Sequence, residues 1–357
     1  MKARLPLWAA LAALALVAAC GPAIKHETLS QYQPRHQTLA HQVLDLERDL
    51  GAEPGDYKLV DDILDEAVQE IQGHSLTTKE DAVFVLEIIH HVLGSSFSYR
   101  RHQLLNQGLK QNKLDCDLLT ILYLSVAQKM NLPLKAVVVP RHSFIRWELA
   151  PGNYLNWETT SSSLISDSHF LRGLHLDTQE NYYYAPNFSM RVGVSKGAFM
   201  RSLGPQEFMA LPHLNLASEY LRRMGAQKNG PAQRLKYLQK ATSHYHQAAK
   251  LDPKRPEAYF GLALAQKIAG RLGAAIASLN RAIELNPEDP NYYFHRGSIR
   301  MTQGNLDGAI ADLEKTYRLH PRHRKVCFSL AIAWSKKGDP KKGEIWWTRA
   351  TKSGQKP

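Results

Sequence analysis

The sequence is poor in cysteine, with only Cys20, Cys116 and Cys327 among 357 residues. That is too few for a disulfide framework, and no bridge between Cys116 and Cys327 is expected because they fall in different domains. Long hydrophobic runs are also missing. Only residues 5–19 are apolar enough to touch hydrocarbon, and fifteen residues fall short of the roughly twenty that a spanning helix needs. A polytopic membrane protein is excluded. Acidic residues are outnumbered, 33 Asp plus Glu against 45 Lys plus Arg. With 44% hydrophobic and 22% charged content, a disordered tail is excluded too, and the length suffices for two domains.

Residues 1–19 read as a secretory signal, with a cationic start at Lys2 and Arg4, an apolar middle and the ending Val17-Ala18-Ala19-Cys20-Gly21. That ending resembles a bacterial lipobox. The resemblance implies cleavage before Cys20, acylation of its thiol, and a protein tethered to a membrane rather than inserted in it. Each buried CH₂ contributes about 0.8 kcal/mol, so more than one acyl chain gives stable attachment. Gly21 after the cysteine resembles the default for sorting to the outer membrane, facing the periplasm. Residues 20–44 then read as an acylated N-terminus and polar tether, with the partner being the membrane itself.

The basic surplus is local, since residues 230–357 carry 23 Lys plus Arg against 10 Asp plus Glu. A solvated helical face accounts for it, and attraction to lipid headgroups or an acidic envelope polymer is the other reading. Nucleic acid is not an expected partner after export. Pro253, Pro287 and Pro321 stand 34 residues apart. Small residues recur in the same register (Ala241, Ala275, Ala309, Gly343, then Ala248, Ala282, Thr316, Ala350), with Tyr245, Leu279, Leu313 and Trp347 between them. Small sites let paired helices approach while large ones fill the space between neighbours. The pattern resembles the tetratricopeptide repeat. It places repeats at 206–351, three regular ones beginning at Pro256, Pro290 and Arg324 and an irregular one before them, stretched around 225–231. The resemblance implies a helical solenoid whose groove binds a protein or peptide. The array is expected to close on a polar, water-facing end and a basic tail at 352–357.

Upstream, apolar residues at three- and four-residue spacing predict helices through 45–94. Glu87, His90 and His91 invite a metal reading, but no third ligand lies at a zinc spacing and HExxH is absent, so neither metal nor cofactor is expected. From Leu118 the chain is apolar nearly all round, which predicts a buried helix starting close to Asp115 and puts Cys116 in its first turn. There the unpaired N–H groups and the helix dipole favour a thiolate. Asp115 and Asp117 oppose that effect or cap the helix. Residues 135–139 predict a strand, and Arg141 to Glu148, the turn Ala150-Pro151-Gly152-Asn153 and Tyr154 to Thr160 predict a hairpin. Residues 161–167 read as a loop, and Tyr182-Tyr183-Tyr184 and Met190-Arg191-Val192 as further strands.

A cysteine at a helix start, a histidine on a strand and a carboxylate on the next strand, with Trp157-Glu158-Thr159-Thr160, resemble the transglutaminase-like superfamily of papain-type thiol folds, including its SirB-type branch with helical repeats downstream. The resemblance covers about 45–205 and implies an α+β cysteine-hydrolase domain, followed by the all-α repeat solenoid. Cys116, His142 and Glu158 fall on the catalytic positions, as nucleophile, base and imidazole-orienting carboxylate. Gln111 and Asn112 are oxyanion candidates beside the Cys116 N–H. Glu158 is one methylene longer than the family's aspartate. For Glu158 to share a face with His142, either a three-residue loop must pair Leu149 with Asn153 or a bulge must compensate for a two-residue Pro151-Gly152 turn. The functional expectation is acyl transfer from an amide to water or an amine through a Cys116 thioester, with the repeats recruiting a protein. The alternative is a non-catalytic scaffold lipoprotein that uses both domains for binding.

Overall fold

The computed structural model describes residues 32–99, 104–139, 142–165, 197–226, 229–321 and 324–352. Cys20, the signal segment, the strands expected at 182–184 and 190–192, and the tail at 353–357 lie outside the described residues. The chain divides into two compact units, Met1–Asn131 and Leu132–Pro357.

The first unit is helical, with α1 at Leu39–Glu47, α2 at Pro54–Ile71, α3 at Lys79–Ser96, α4 at Leu105–Gln111 and α5 at Cys116–Met130. Two short parallel strands, β1 at Ser98–Tyr99 and β2 at Lys113–Leu114, pair beside them. Local chemistry sets the helix limits. Pro54 opens α2, where its missing N–H costs nothing. Thr78 and Asp81 form a reciprocal cap at the start of α3, each side chain accepting the other's backbone N–H at 3.0 Å. Asn112 and Asn131, both at φ 52°, end α4 and α5 in the left-handed conformation that asparagine tolerates.

α5 is the core of this unit, with Leu118, Ile121, Leu122, Tyr123, Leu124 and Val126 all buried. Its polar side chains complete α1, whose Leu39 and Ala40 N–H groups donate to Gln128 at 2.6 Å and Ser125 at 2.9 Å. At the other end of α1 the buried Glu47 carboxylate accepts from the Leu105 and Asn106 N–H groups, at 2.8 and 2.7 Å. One helix end therefore caps the next. Burial pushes the Glu47 carboxyl up to about 7, although those two donors pull it down.

The expected tether to residue 44 is corrected by what residues 32–44 do. The Tyr32 hydroxyl donates to Asp61, the Arg35 N–H donates to the same carboxylate at 2.8 Å, and the Arg35 guanidinium meets Asp62 at 2.8 Å and Asp65 at 3.0 Å. His41, fully buried on α1, sits 3.2 Å from Asp61. Three aspartates spaced along α2 thus bind this segment down, and its polar composition reflects those partners rather than solvent.

The second unit opens with an antiparallel sheet in the order β6-β5-β4-β3-β7. Its strands are β3 Leu134–Val139, β4 His142–Ala150, β5 Asn153–Glu158, β6 Ser163–Ile165 and β7 Ser202–Leu203. Val137, Val139, Phe144, Ala198, Phe199 and Met200 form one buried cluster, and Trp147 and Trp157 are buried as well. Residues 163–165, expected in a loop, instead form the edge strand, pairing Glu158 with Ser163 after a tight return through Ser162 at φ 55°.

Helices α6 (Pro205–Phe208), α7 (Ala210–Met224) and α8 (Pro231–Leu251) lead into three hairpins. These are α9 Pro256–Ile268 with α10 Leu272–Leu285, α11 Pro290–Thr302 with α12 Leu306–Leu319, and α13 Arg324–Lys336 with α14 Pro340–Lys352. The irregularity of the preceding α7–α8 pair lies in the length of α8, 21 residues against 14 in α10 and α12. The recurrent small sites are buried, as are Tyr245, Leu279 and Leu313. A Cβ on Gly261 would fall 2.0 Å from the Tyr245 ring, so this crossing tolerates no side chain.

The array does not close on a wholly polar end. Trp347 is 54% and Ile345 53% exposed. Leu279 is covered by Tyr292 and Ile299, and Leu313 by Val326 and Leu330, all from the following first helix. Among the described residues Trp347 has no such cover.

Two outcomes test this packing. Gly261→Ala destabilises by about 1–3 kcal/mol through overpacking, whereas Gly273→Ala, with open space around its Cβ position, changes stability by less than about 1 kcal/mol and upward. Both are read by urea denaturation. Glu47 has its carboxyl raised on folding, so its contribution is fully present at low pH and fades as pH climbs from the ordinary carboxylate range through about 7. Glu47→Gln should flatten the fall in unfolding free energy across that window relative to wild type, measured by denaturation at successive pH values.

Candidate functional site

The hairpin of β4 and β5 builds the centre of the site. Pro151 and Gly152, the latter at φ 74°, turn the chain between Ala150 and Asn153, which pair. Left alone, that register would put Glu158 on the face opposite His142, because side chains alternate. A bulge between Glu148 and Ala150 leaves Leu149 without a partner, and beyond it Glu148 pairs with Tyr154 and Ile145 with Trp157. Glu158 thereby falls opposite Phe144 and diagonal to His142 on the same face.

The two side chains meet there. His142 Nε2 lies 2.6 Å from Glu158 Oε2, with 11% and 13% of the respective side chains exposed. The other carboxylate oxygen accepts from Thr160 twice, from its N–H at 3.1 Å and its hydroxyl at 2.8 Å. Burial pushes the Glu158 carboxyl up, but the bonds from His142 and Thr160 outweigh it and hold the group below its ordinary value. With Nε2 committed to Glu158, Nδ1 is the ring nitrogen that would take a proton in base catalysis.

Thr160 is the member that sequence reasoning passed over. Its signal was present, since a threonine two residues after a carboxylate commonly closes such a local turn. On the same face of β4, buried Arg146 donates to Asn156 at 2.8 Å and to the Met200 carbonyl at 3.3 Å. It also lies over the Tyr154 ring at 3.9 Å. This tie joins β4, β5 and the segment before β7, and so braces the face that carries His142.

Cys116 belongs to the first unit, at the first position of α5, and is 7% exposed. Asp115 is the helix cap, accepting the Leu118 N–H at 3.1 Å. The Cys116 thiol donates to Asp117 Oδ1 at 3.8 Å. The helix terminus and the adjacent carboxylate thus act on the sulfur in opposite senses. Of the oxyanion candidates, Gln111 is the exposed last residue of α4, and Asn112 is its left-handed cap, whose carbonyl accepts the Ser98 N–H at 3.0 Å. Among the described residues no group of three or more His, Cys, Asp or Glu is arranged to hold a metal ion. No helix among them is long and apolar enough to cross a membrane.

Comparison with known proteins bears on the C-terminal hairpins. The TPR repeat family matches residues 268–304 and the tetratricopeptide repeat family residues 290–323. Residues 268–323 thus carry tetratricopeptide repeats, which suggests a helical-repeat module of the kind that binds proteins. No curated protein matches the chain. Among solved structures, the crystal structure of MamA is 24% identical at a TM-score of 0.36, covering 40% of this chain and 77% of that one. A second MamA structure is 23% identical at 0.32, covering 46% and 88%. The first TPR of Spaghetti (RPAP3) bound to the HSP90 peptide SRMEEVD is 20% identical at 0.32, covering 36% and 93%.

The hold on Glu158 is open to titration. Thr160→Val removes the hydroxyl donor, so the Glu158 carboxyl should titrate at a higher pH than in wild type, followed by carboxyl carbon NMR. Because its value is lowered on folding, the stabilisation it provides is present above the ordinary carboxylate range and disappears as pH falls below it. The variant should lose that stabilisation at a less acidic pH.

Proposed function

We propose that this protein couples a thiol acyl-transfer site to a protein-binding repeat array. Cys116 is the nucleophile, His142 the base and Glu158 the carboxylate that orients it. The observation that carries the proposal is the 2.6 Å contact of His142 with a Glu158 carboxylate held in turn by Thr160. Such a pair fixes the ring tautomer and supports the imidazolium that forms when a thiol gives up its proton. The α+β region at 45–205 then functions as a transglutaminase-like domain. The thiolate adds to an amide carbonyl, the imidazolium protonates the departing amine, and water or a second amine opens the thioester. The repeats at 206–351 bring the protein substrate to the site.

The anchor belongs to the same proposal. Acylated Cys20 holds the chain at the outer membrane facing the periplasm, and the basic surplus of the repeats favours acidic lipid headgroups or an anionic envelope polymer nearby.

A scaffold that binds through both domains without catalysis is the second reading. The thiol's contact with Asp117 favours it, because a carboxylate accepting from sulfur keeps the proton in place.

The pH dependence of Cys116 alkylation by iodoacetamide, in a Cys327→Ser background, decides between them. Under the catalytic reading the midpoint lies well below the free-thiol value near 8.5. It should move up towards that value in His142→Ala and Glu158→Gln. A midpoint at or above about 8.5 that His142→Ala leaves in place establishes the scaffold reading instead.

A further inference from the structure

The repeats carry a second recognition feature, visible when equivalent positions are compared. Tyr259, Tyr293 and Cys327 are 34 residues apart, on the first helices α9, α11 and α13. Each tyrosine reaches back to the loop before its own helix. The Tyr259 hydroxyl donates to the Pro253 carbonyl at 3.2 Å and the Tyr293 hydroxyl to the Pro287 carbonyl at 3.1 Å. A cation from the second helix covers each ring, Arg281 at 5.8 Å from Tyr259 and Lys315 at 5.8 Å from Tyr293.

The third hairpin keeps every part of this arrangement except the ring. Pro321 stands where Pro253 and Pro287 do, and Arg349 where Arg281 and Lys315 do. Cys327 supplies only a short thiol, and Arg349 turns to Trp346 at 4.6 Å. A groove of about 740 Å³ opens there, lined by Tyr317, Pro321, Cys327, Ile345 and Arg349 among others. Ile345, 53% exposed, forms an apolar wall. Its charged lining is Lys341 and Arg349 against Glu344, so cations predominate.

We propose that this groove is a docking site for a protein segment that presents a tyrosine flanked by acidic residues. The phenol ring occupies the place that Tyr259 and Tyr293 fill in their own repeats, its hydroxyl directed to the Pro321 carbonyl and its face to the Arg349 guanidinium. The acidic flanks answer Lys341 and Arg349. Its basis is the fit of one kind of side chain to one missing piece of a repeated interface. The inference rests on the array being a protein-binding module, and it names a surface and a ligand chemistry on that module.

The test uses the full chain as bait for a display library of random twelve-residue peptides. Enriched peptides should converge on tyrosine with Asp or Glu nearby and bind at least tenfold more weakly to Cys327→Tyr, in which the protein supplies its own ring. That variant should also melt at a higher temperature than wild type. Should Cys327→Tyr fold poorly, Ile345→Lys, on the exposed wall, is expected to cause the same tenfold loss. Peptides that bind but are indifferent to both substitutions overturn this site while leaving the repeat array a binding module. A library that yields no binder overturns both. Binding of p-cresol as tight as that of the peptides would make the groove a small-molecule site, and self-association abolished by Cys327→Tyr would make its occupant a second copy. Either result overturns the proposal.

Discussion

Between Glu148 and Ala150 the ladder joining β4 to β5 slips by one residue, and the contact of His142 with Glu158 depends on that slip. A two-residue turn is the short way to reverse a strand, but it presents the wrong face of β5 to His142. Leaving Leu149 unpaired reverses the parity of everything beyond it. The buried faces of Trp147 and Trp157 then agree with the position of Glu158, so core packing and the polar contact demand the same register. A buried imidazole and carboxylate held this way leave few unsatisfied groups, and Thr160 accounts for the remaining oxygen.

The helical unit applies the same economy to its backbone. Side chains of α5 complete the start of α1, and the last residue of α1 completes the start of α4. Short helices are marginal alone, and the starts of α1 and α4 are each completed by polar side chains of another helix. The cost is a carboxyl at Glu47 held where it resists ionisation. Residues 32–38 are fixed by three aspartates on α2, so the body of the protein begins earlier than composition suggests.

The repeats were the most legible part of the sequence, because a packing rule that recurs every 34 residues is written in both small and large residues. Helix starts at Pro256, Pro290 and Arg324 come directly from it. The hairpin was legible as two alternatives, a longer loop or a bulge. The letters did not choose between them, since Ala150-Pro151-Gly152-Asn153 suits the short turn and the bulge satisfies contacts made farther along the strands, the burial of Trp147 and Trp157 and the meeting of His142 with Glu158. Cys116 at the head of a buried helix was also readable. Long-range polar partnership was not legible: Tyr32, Arg35 and His36 read as tether because the aspartates that bind them lie some 26 to 29 positions away. Residues 163–165 read as loop for a related reason, as a short edge strand takes its identity from its neighbour. Trp347 carried the repeat's large-residue signal, but burial at that position requires a further helix packed over it.

The register at Leu149 can be read directly from the His142 imidazole by NMR on nitrogen-labelled full chain. The account predicts a low-field proton on Nε2, shared with Glu158 in the wild type and lost in Glu158→Gln. It is kept when Leu149 is deleted, because Glu148 then pairs with Tyr154 directly beyond the two-residue turn, while amide exchange shows the β3–β4 pairing intact. A Nε2 proton signal that is absent in the wild type, that Glu158→Gln leaves unchanged, or that disappears on deletion of Leu149 with the β3–β4 pairing intact, would contradict it.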